Sequence, residues 1–145
     1  MIKVAILTIS DTRTKEDDLS GAAIEELLNK DKYLISAYDI VPDDKDSIRN
    51  QLLIYTDEYK VDLVLTSGGT GLGPRDVTPE ATREVIEKQI QGLSEYIRIE
   101  GVKKTKKAIL SRAISGIRKN TLIINLPGSP KGVRESLEFV LDIIP

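Results

Sequence analysis

The sequence predicts an α/β domain with a mainly parallel β-sheet, helices on both of its faces and a small antiparallel hairpin. Short apolar runs rich in β-branched residues alternate with amphipathic stretches of helical period, a pattern typical of strands that alternate with helices. The sequence has no internal repeat, linker or low-complexity tract. We therefore expect residues 1–145 to form one domain, long enough to bury a hydrophobic core.

The first half of the chain contains three predicted strands separated by two helices. Ser20 follows a polar loop and is expected to cap the first helix. The second helix follows Pro42 and runs for about four turns, with Asp44 or Asp46 most simply its N-cap. The strands are mostly continuous apolar runs at residues 3–9, 34–41 and 61–66.

The second half begins with a helix at Thr78-Pro79-Glu80, which combines a hydroxyl N-cap, a proline at the first position and an acid in the first turn. We expect this helix to reach about Lys88, and Gly92 to separate it from a helix around residues 93–103. The remaining elements are strands at 113–117 and Thr121–Leu126, joined as a hairpin, and a last helix from about Val133.

Four polar segments follow the predicted strands. An open α/β sheet binds its ligands beyond the carboxyl ends of the strands, so these segments should meet at one rim. They are Ser10-Asp11, Pro42-Asp43, residues 67–78 and residues 125–131.

Composition limits the chemistry. The chain has no cysteine and no histidine, which excludes thiol nucleophiles, Ser-His-Asp hydrolases and the usual zinc sites. Carboxylates, cationic side chains, hydroxyls and backbone amides remain, and these suit phosphate chemistry with Mg²⁺.

Charge and hydropathy limit the partners. A net charge of −2 argues against a dedicated nucleic-acid binder. The apolar runs are too short to cross a membrane, and the amino terminus lacks the basic region and cleavage site of a signal peptide. We expect a cytoplasmic protein.

A glycine-rich turn leaves the third strand at Gly68-Gly69-Thr70-Gly71-Leu72-Gly73. Glycines allow backbone amides to surround phosphate oxygens. The turn is neither a Walker A loop nor a dinucleotide-binding fingerprint, and taken alone it is equally well a plain flexible turn.

Arg75 and Asp76 lie between this turn and a helix N-terminus, which itself favours anions. Asp76 is a candidate Mg²⁺ ligand, with a helix-capping acid as the alternative. Asp43 is the acid nearest the end of its strand, and we expect it on the rim beside Asp76.

The turn from Asn125 to Lys131 carries groups suited to a phosphate and the polar edge of a heterocycle. A rigid connector is the alternative. Ser111-Arg112 is ambiguous, because a lone arginine is more often a solvated surface charge. The lysines at 103, 104, 106 and 107 are interpreted as a solvated helix end. The polar groups of the turn are the side chains of Asn125, Ser129 and Lys131, with Pro127 and Gly128 between them.

Three stretches occur in one order and spacing: Leu65-Thr66-Ser67-Gly68-Gly69-Thr70-Gly71, Arg75-Asp76-Val77-Thr78-Pro79-Glu80 and Ile123-Ile124-Asn125-Leu126-Pro127-Gly128. Together they resemble the molybdopterin adenylyltransferase family of the MogA and MoaB type, which includes the G domain of gephyrin. Shorter matches extend the resemblance over essentially the whole chain. They are Thr8-Ile9-Ser10-Asp11, Val41-Pro42-Asp43 and Ala108-Ile109-Leu110-Ser111-Arg112.

The resemblance implies a three-layer MogA-like fold and a homotrimer or homohexamer. It implies a reaction in which molybdopterin and Mg-ATP give adenylyl-molybdopterin and pyrophosphate, with the molybdate-insertion enzyme as a candidate partner. The family's two essential acids fall on Asp43 and Asp76. The glycine turn falls on the nucleotide side, and the Asn125 to Lys131 turn with Ser111 on the pterin side. Ser10, Asp11 and Arg75 are further candidate ligand-binding residues.

Other functions remain open at this level. The same fold could serve as a non-catalytic molybdopterin-binding or scaffold protein. The molybdate-insertion enzyme shares the fold in one domain, but it needs further domains for which this chain has no room. A general nucleotide hydrolase is disfavoured because no residue obviously activates water. The sequence does not distinguish a molybdenum from a tungsten pathway.

Overall fold

The computed structural model describes residues 1–144 and contains six strands and five α-helices in this part of the chain. A π-helical turn at Ile54–Glu58 extends the second of these helices, and a 3-10 turn at Lys106–Leu110 follows the fourth. The strands are β1 (Ile2–Ile9), β2 (Tyr33–Val41), β3 (Leu63–Ser67), β4 (Lys88–Gln89), β5 (Ser115–Arg118) and β6 (Thr121–Leu126). The helices are α1 (Leu19–Leu27), α2 (Lys45–Leu53), α3 (Thr78–Val85), α4 (Gln91–Val102) and α5 (Pro130–Val140).

The strands form one sheet in the order β2-β1-β3-β6-β5-β4. The first three pairings, β2 with β1, β1 with β3 and β3 with β6, are parallel. The β5–β6 hairpin and the short strand β4 pair antiparallel. The predicted α/β class, the mainly parallel sheet and the hairpin are therefore confirmed.

Helices cover both faces of the sheet. Successive side chains of a strand point to opposite faces, so a single strand contributes to the core on each side. In β1, Val4 and Ile6 pack into a core with α1 and α5, whereas Ala5 and Leu7 pack into a second core with α2 and α3. All four are fully buried. This explains why β1 is a continuous apolar run in the sequence.

Within the described residues, no helix has the length and apolar character needed to cross a membrane.

Two predicted helix caps were wrong. The cap of α1 is Asp18, whose Oδ1 accepts from the amide of Gly21, and Ser20 lies within the helix. The helix α3 begins at Thr78, preceded by Val77 as N-cap with no side-chain hydrogen bond. The prediction for α2 was correct, since Asp44 accepts from the Ser47 amide.

The region after α3 also differs from expectation. That helix ends at Val85 instead of Lys88, because residues 88–89 pair with the edge of β5. Gly92 lies inside α4 and does not separate two helices. The pairing of a two-residue strand depends on a distant partner, so local propensity carried little signal for it.

Candidate functional site

The four predicted segments meet at the carboxyl ends of the parallel strands. Ser67 Oγ donates to the Pro127 carbonyl at 3.0 Å, and the Gly68 amide donates to the Leu126 carbonyl at 3.2 Å. These bonds join the turn after β3 to the turn after β6. The contacts of Asp11 described below add the segments after β1 and β2 to the same rim.

The turn after β3 requires its first two glycines. Gly68 has a φ of 100° and Gly69 a φ of 70°, a region that side chains with a Cβ rarely adopt. A Cβ on Gly68 would lie 2.5 Å from the Ile9 carbonyl oxygen, and one on Gly69 would lie 2.2 Å from Thr78 Oγ1. The backbone here is fixed by close packing, so a plain flexible turn does not describe it.

Asp11 accepts hydrogen bonds from two other segments of the rim, through Arg75 and through the Asp43 amide. Arg75 donates to it through Nε at 2.8 Å and Nη2 at 3.0 Å, and the Asp43 amide donates to its Oδ1 at 2.9 Å. The bond with Arg75 is the main reason that the pKa of Asp11 is lowered. Burial, followed by the negative charges of Asp11 and Asp76, raises the pKa of Asp43 above its usual range.

The Asp76 carboxylate turns back toward the glycine segment. Its Oδ2 accepts from the Gly73 amide at 2.9 Å, and a Cβ on Gly71 or Gly73 would lie 3.0 Å from the same oxygen. The helix α3 has no side-chain cap, so the capping alternative for Asp76 was wrong. The Asp76 carboxylate instead lies against the glycine turn. Its negative charge contributes, after burial and Asp11, to the raised pKa of Asp43.

Arg112 is a component that the sequence analysis missed. Its Nε donates to the Gly71 carbonyl at 2.8 Å, its Nη2 to the Asp76 carbonyl at 2.6 Å and its Nη1 to Glu80 Oε2 at 2.6 Å. Its backbone amide donates to the Thr70 carbonyl at 2.9 Å. The ambiguity at Ser111-Arg112 is thereby resolved for Arg112, whose guanidinium is bonded to the glycine turn and to Glu80.

The side chains of Ser20 and Arg13 support the turn after β6, a role that the sequence did not indicate. The Gly128 carbonyl accepts from Ser20 Oγ at 2.7 Å and from Arg13 Nη1 at 3.2 Å. Buried Asp18 accepts from Thr8 Oγ1 and from the Tyr38 hydroxyl. Burial and the bond to Asp18 raise the pKa of Tyr38, which keeps this phenol protonated as a donor.

An apolar cavity of about 420 Å³ opens beside the glycine turn. It lies between the 3-10 turn, α4 and α5, and its walls include residues from both of the turns predicted to bind ligands. Arg98 and Lys107 contribute cationic side chains to the same walls. The predicted site residues that line the cavity are Thr70, Gly71, Ser111, Asn125, Pro127 and Ser129.

Several predicted ligand groups already have partners within the chain. Asn125 is fully buried, with Oδ1 accepting from the Ile114 amide and Nδ2 donating to Thr66 and Thr82. Ser129 Oγ caps α5 by accepting from the Gly132 amide at 3.0 Å.

Ser10 and Lys131 lie toward the edges of the site. The Ser10 hydroxyl oxygen accepts from the amides of Thr12 and Arg13. The Lys131 side chain is 88% exposed, 4.0 Å from Glu135, and lies outside the cavity walls formed by the described residues.

Among residues 1–144, no cluster of three or more acids, histidines or cysteines is arranged to hold a metal ion by itself. Asp43 and Asp76 nevertheless lie on the same rim, and after burial and Asp11 the charge of Asp76 contributes to the raised pKa of Asp43. A pair of carboxylates matches Mg²⁺, which usually takes one or two from the protein and its remaining ligands from phosphates and water.

Comparison with known proteins identifies the family. Residues 5–145 match the family model described as a probable molybdopterin binding domain. A Helicobacter pylori protein named molybdopterin adenylyltransferase is 47% identical over 99% of this chain and 84% of its own length. A Bacillus cereus protein named molybdenum cofactor biosynthesis protein B is 42% identical over 97% of this chain and 84% of its own.

Solved structures agree with this assignment. The Thermus thermophilus molybdopterin biosynthesis enzyme MoaB is 48% identical, with a TM-score of 0.92 over 100% of this chain and 92% of its own. The tungsten cofactor synthesizing protein MoaB of Pyrococcus furiosus is 31% identical, with a TM-score of 0.86 over 97% of this chain and 91% of its own. The chain therefore belongs to the molybdopterin-binding-domain family that includes the MogA and MoaB proteins, as its motifs predicted.

Proposed function

We propose that the protein is a molybdopterin adenylyltransferase, which transfers AMP from Mg-ATP to the phosphate of molybdopterin. The observation that carries the proposal is the placement of two carboxylates, Asp43 and Asp76, on one rim with a tightly packed glycine turn and an apolar cavity. The name of the Helicobacter pylori relative supports the same activity.

The two substrates divide the rim between them. Backbone amides of the turn from Ser67 to Gly71 suit the triphosphate of ATP, and Arg75 supplies a cation on the same side. The cavity suits a flat heterocycle, since apolar walls bury the rings and a few polar groups orient them. In this proposal Ser111 and the turn from Pro127 to Lys131 bind the pterin and its phosphate, and buried Asn125 holds the strand end from which this turn leaves.

Mg²⁺ is held in this proposal by Asp43 and Asp76. When bound, the ion neutralises phosphate charge and stabilises the leaving pyrophosphate. The position of Asp43 supports the assignment, because its backbone amide is bonded to Asp11 on the rim. Burial, followed by the charges of Asp11 and Asp76, raises the pKa of Asp43, and a cation would relieve the repulsion among these acids. The incomplete ligand set of the protein leaves positions for phosphate oxygens and water.

The reaction does not require a side-chain base. A phosphate monoester has a second pKa near 6, so one of its oxygens is already mostly anionic at neutral pH. That oxygen attacks the α-phosphorus of ATP and forms a new P–O bond. The bond from the α-phosphorus to its bridging oxygen breaks, and pyrophosphate leaves with the electron pair. The protein must align the two anions and reduce their repulsion, which its amides, Arg75 and the two acids with Mg²⁺ accomplish.

The direct test is a discontinuous assay with purified protein, Mg-ATP and molybdopterin. We expect one pyrophosphate and one adenylylated pterin for each ATP consumed, and no ATP consumption without the pterin. Pterin binding without pyrophosphate release would instead establish the non-catalytic binding or scaffold function. Pyrophosphate release without pterin would indicate a nucleotide hydrolase.

A further inference from the structure

Arg112 connects the segment that carries Asp76 to the rest of the fold. Its guanidinium contacts Gly71 at one end of the segment and Asp76 at the other, both through carbonyl oxygens. Within the segment, the Asp76 amide donates to the Gly73 carbonyl at 3.1 Å and the Gly73 amide donates back to the carboxylate. These internal bonds form a turn, and Arg112 fixes where that turn lies.

The segment needs such an anchor because it is rich in glycine. Gly71 and Gly73 each lose more backbone entropy on ordering than other residues do. Their missing side chains also leave space that the Asp76 carboxylate occupies. The internal bonds form the turn, but its placement in the fold depends on contacts outside the segment. Arg112 supplies such contacts from the connection between the 3-10 turn and β5.

The geometry requires an arginine. Its planar fork directs separate N–H groups to two carbonyls and to Glu80, whereas the ammonium of a lysine is a single compact donor centre. Glu80 holds the fork in turn, and the bond with Arg112 lowers the pKa of this glutamate. The backbone amide of Arg112 adds a further bond to Thr70.

We propose that Arg112 is the positioning residue that holds the Asp76 carboxylate in its metal-binding place, so that replacing it lowers the affinity for Mg²⁺ in the nucleotide complex. This inference rests on the proposed function. Arg112 acts through the backbone of the turn and does not touch the reacting atoms. Substitutions of residues that orient metal ligands typically reduce metal affinity about 10- to 100-fold.

The test compares Arg112→Lys with Arg118→Lys, a matched control at the end of β5. Arg118 makes a similar fork, with two bonds to Asp57 at 2.9 and 3.0 Å and one to the Val85 carbonyl at 3.1 Å. Calorimetry of ATP binding without pterin, repeated over a range of Mg²⁺ concentrations, gives the Mg²⁺ concentration for half-maximal binding. Thermal unfolding measured in parallel gives the stability lost by each variant.

We expect both variants to lose thermal stability. Only Arg112→Lys should raise the Mg²⁺ concentration for half-maximal ATP binding, by about tenfold or more. Glu80→Ala, which keeps the arginine but removes its carboxylate partner, should shift the Mg²⁺ requirement in the same direction by less. Equal Mg²⁺ requirements in the wild type, Arg118→Lys and both site variants would overturn the inference while leaving the proposed function intact. Absence of Mg²⁺-dependent ATP binding in the wild type would overturn both.

Discussion

The backbone amide of Asp43 donates to Asp11 Oδ1 at 2.9 Å, so the acid after β2 is held against the acid after β1. Arg75 neutralises Asp11 from the other side through two bonds. Asp43 receives no such partner of its own in these contacts, and its pKa is raised by burial and by the neighbouring acids. In the free protein, burial and the neighbouring acids therefore outweigh the attraction of Arg75 at Asp43, the place proposed for Mg²⁺.

The first prediction is that Asp43→Asn stabilises the protein without its ligands at neutral pH. A carboxyl whose pKa is raised on folding destabilises the folded state once pH exceeds that folded pKa, and imposes no penalty below the unfolded pKa. The melting temperature of the variant should therefore exceed that of the wild type at pH 7, by about 2 °C or more. The difference should disappear below the ordinary pKa of 3.8.

Calorimetric melting scans across this pH range, without Mg²⁺ or nucleotide, provide the measurement. A variant less stable than the wild type at pH 7 would show that Asp43 is satisfied in the free protein. Asp46→Asn is a suitable control, since that acid is 68% exposed and pairs with Arg49.

The fold was predictable where sequence pattern alone determines it. Continuous apolar runs located β1, β3 and β6 because these strands are buried on both faces. The caps were less predictable, because Asp18 and Ser20 both carry capping side chains and tertiary contacts decided between them: Asp18 is buried against Thr8 and Tyr38, whereas Ser20 bonds to the Gly128 carbonyl.

The site was predictable to the extent that it follows strand ends. The positions of Asp11, Asp43 and Asp76 follow from parallel topology, since every carboxyl end meets the same rim. Arg112 does not follow a parallel strand, and its partners are mostly backbone carbonyls, which leave no pattern in a sequence. The Ser111-Arg112 pair within the family resemblance was the available signal, but residue chemistry alone gave no reason to bring it to the glycine turn.

The second prediction concerns the pterin phosphate. We expect Lys107→Ala to weaken molybdopterin binding about tenfold, because Lys107 lines the cavity and a charge-assisted bond to phosphate is stronger than a neutral one. Lys131→Ala should weaken it by less, since that side chain is 88% exposed and its attraction is screened by salt. ATP affinity should change little in either variant.

Fluorescence titration with molybdopterin, at two salt concentrations, separates these contributions. Lys104→Ala is the matched control, because this lysine belongs to the same basic run and is exposed like Lys107, but lies outside the cavity walls. An equal loss of ATP and pterin affinity in Lys131→Ala would show that the proposed assignment of the turn after β6 to the pterin is wrong.

The third prediction is a closed symmetric oligomer whose subunit number is a multiple of three. Large apolar side chains such as Tyr96, Ile99 and Ile143 are exposed on α4 and near the last described residues, and exposed apolar surface of this kind favours association. The family resemblance supplies the threefold symmetry. Light scattering at micromolar concentration should give the mass of a trimer or hexamer. A monomer or plain dimer would contradict the prediction.

The last prediction tests the mechanism through Asp76→Asn. The substitution keeps the size of the side chain and an oxygen able to accept from the Gly73 amide, which Asp76 Oδ2 accepts at 2.9 Å. It removes the negative charge proposed to hold Mg²⁺. That charge matters most as electrons move toward the leaving pyrophosphate, so the transition state should lose more stabilisation than the ground state.

We therefore expect kcat to fall roughly 100-fold or more, comparable to the loss of a strong electrostatic stabiliser, with pterin affinity changed little. Asp43→Asn should behave alike, and the double variant should lose less than the two effects combined because both acids act on one metal-phosphate assembly. Steady-state pyrophosphate release measures turnover, and Asp46→Asn should retain wild-type rates. If folded, oligomeric Asp76→Asn turned over near the wild-type rate, the acid would serve only to hold the turn at Gly73, and metal-assisted transfer through this pair would be excluded.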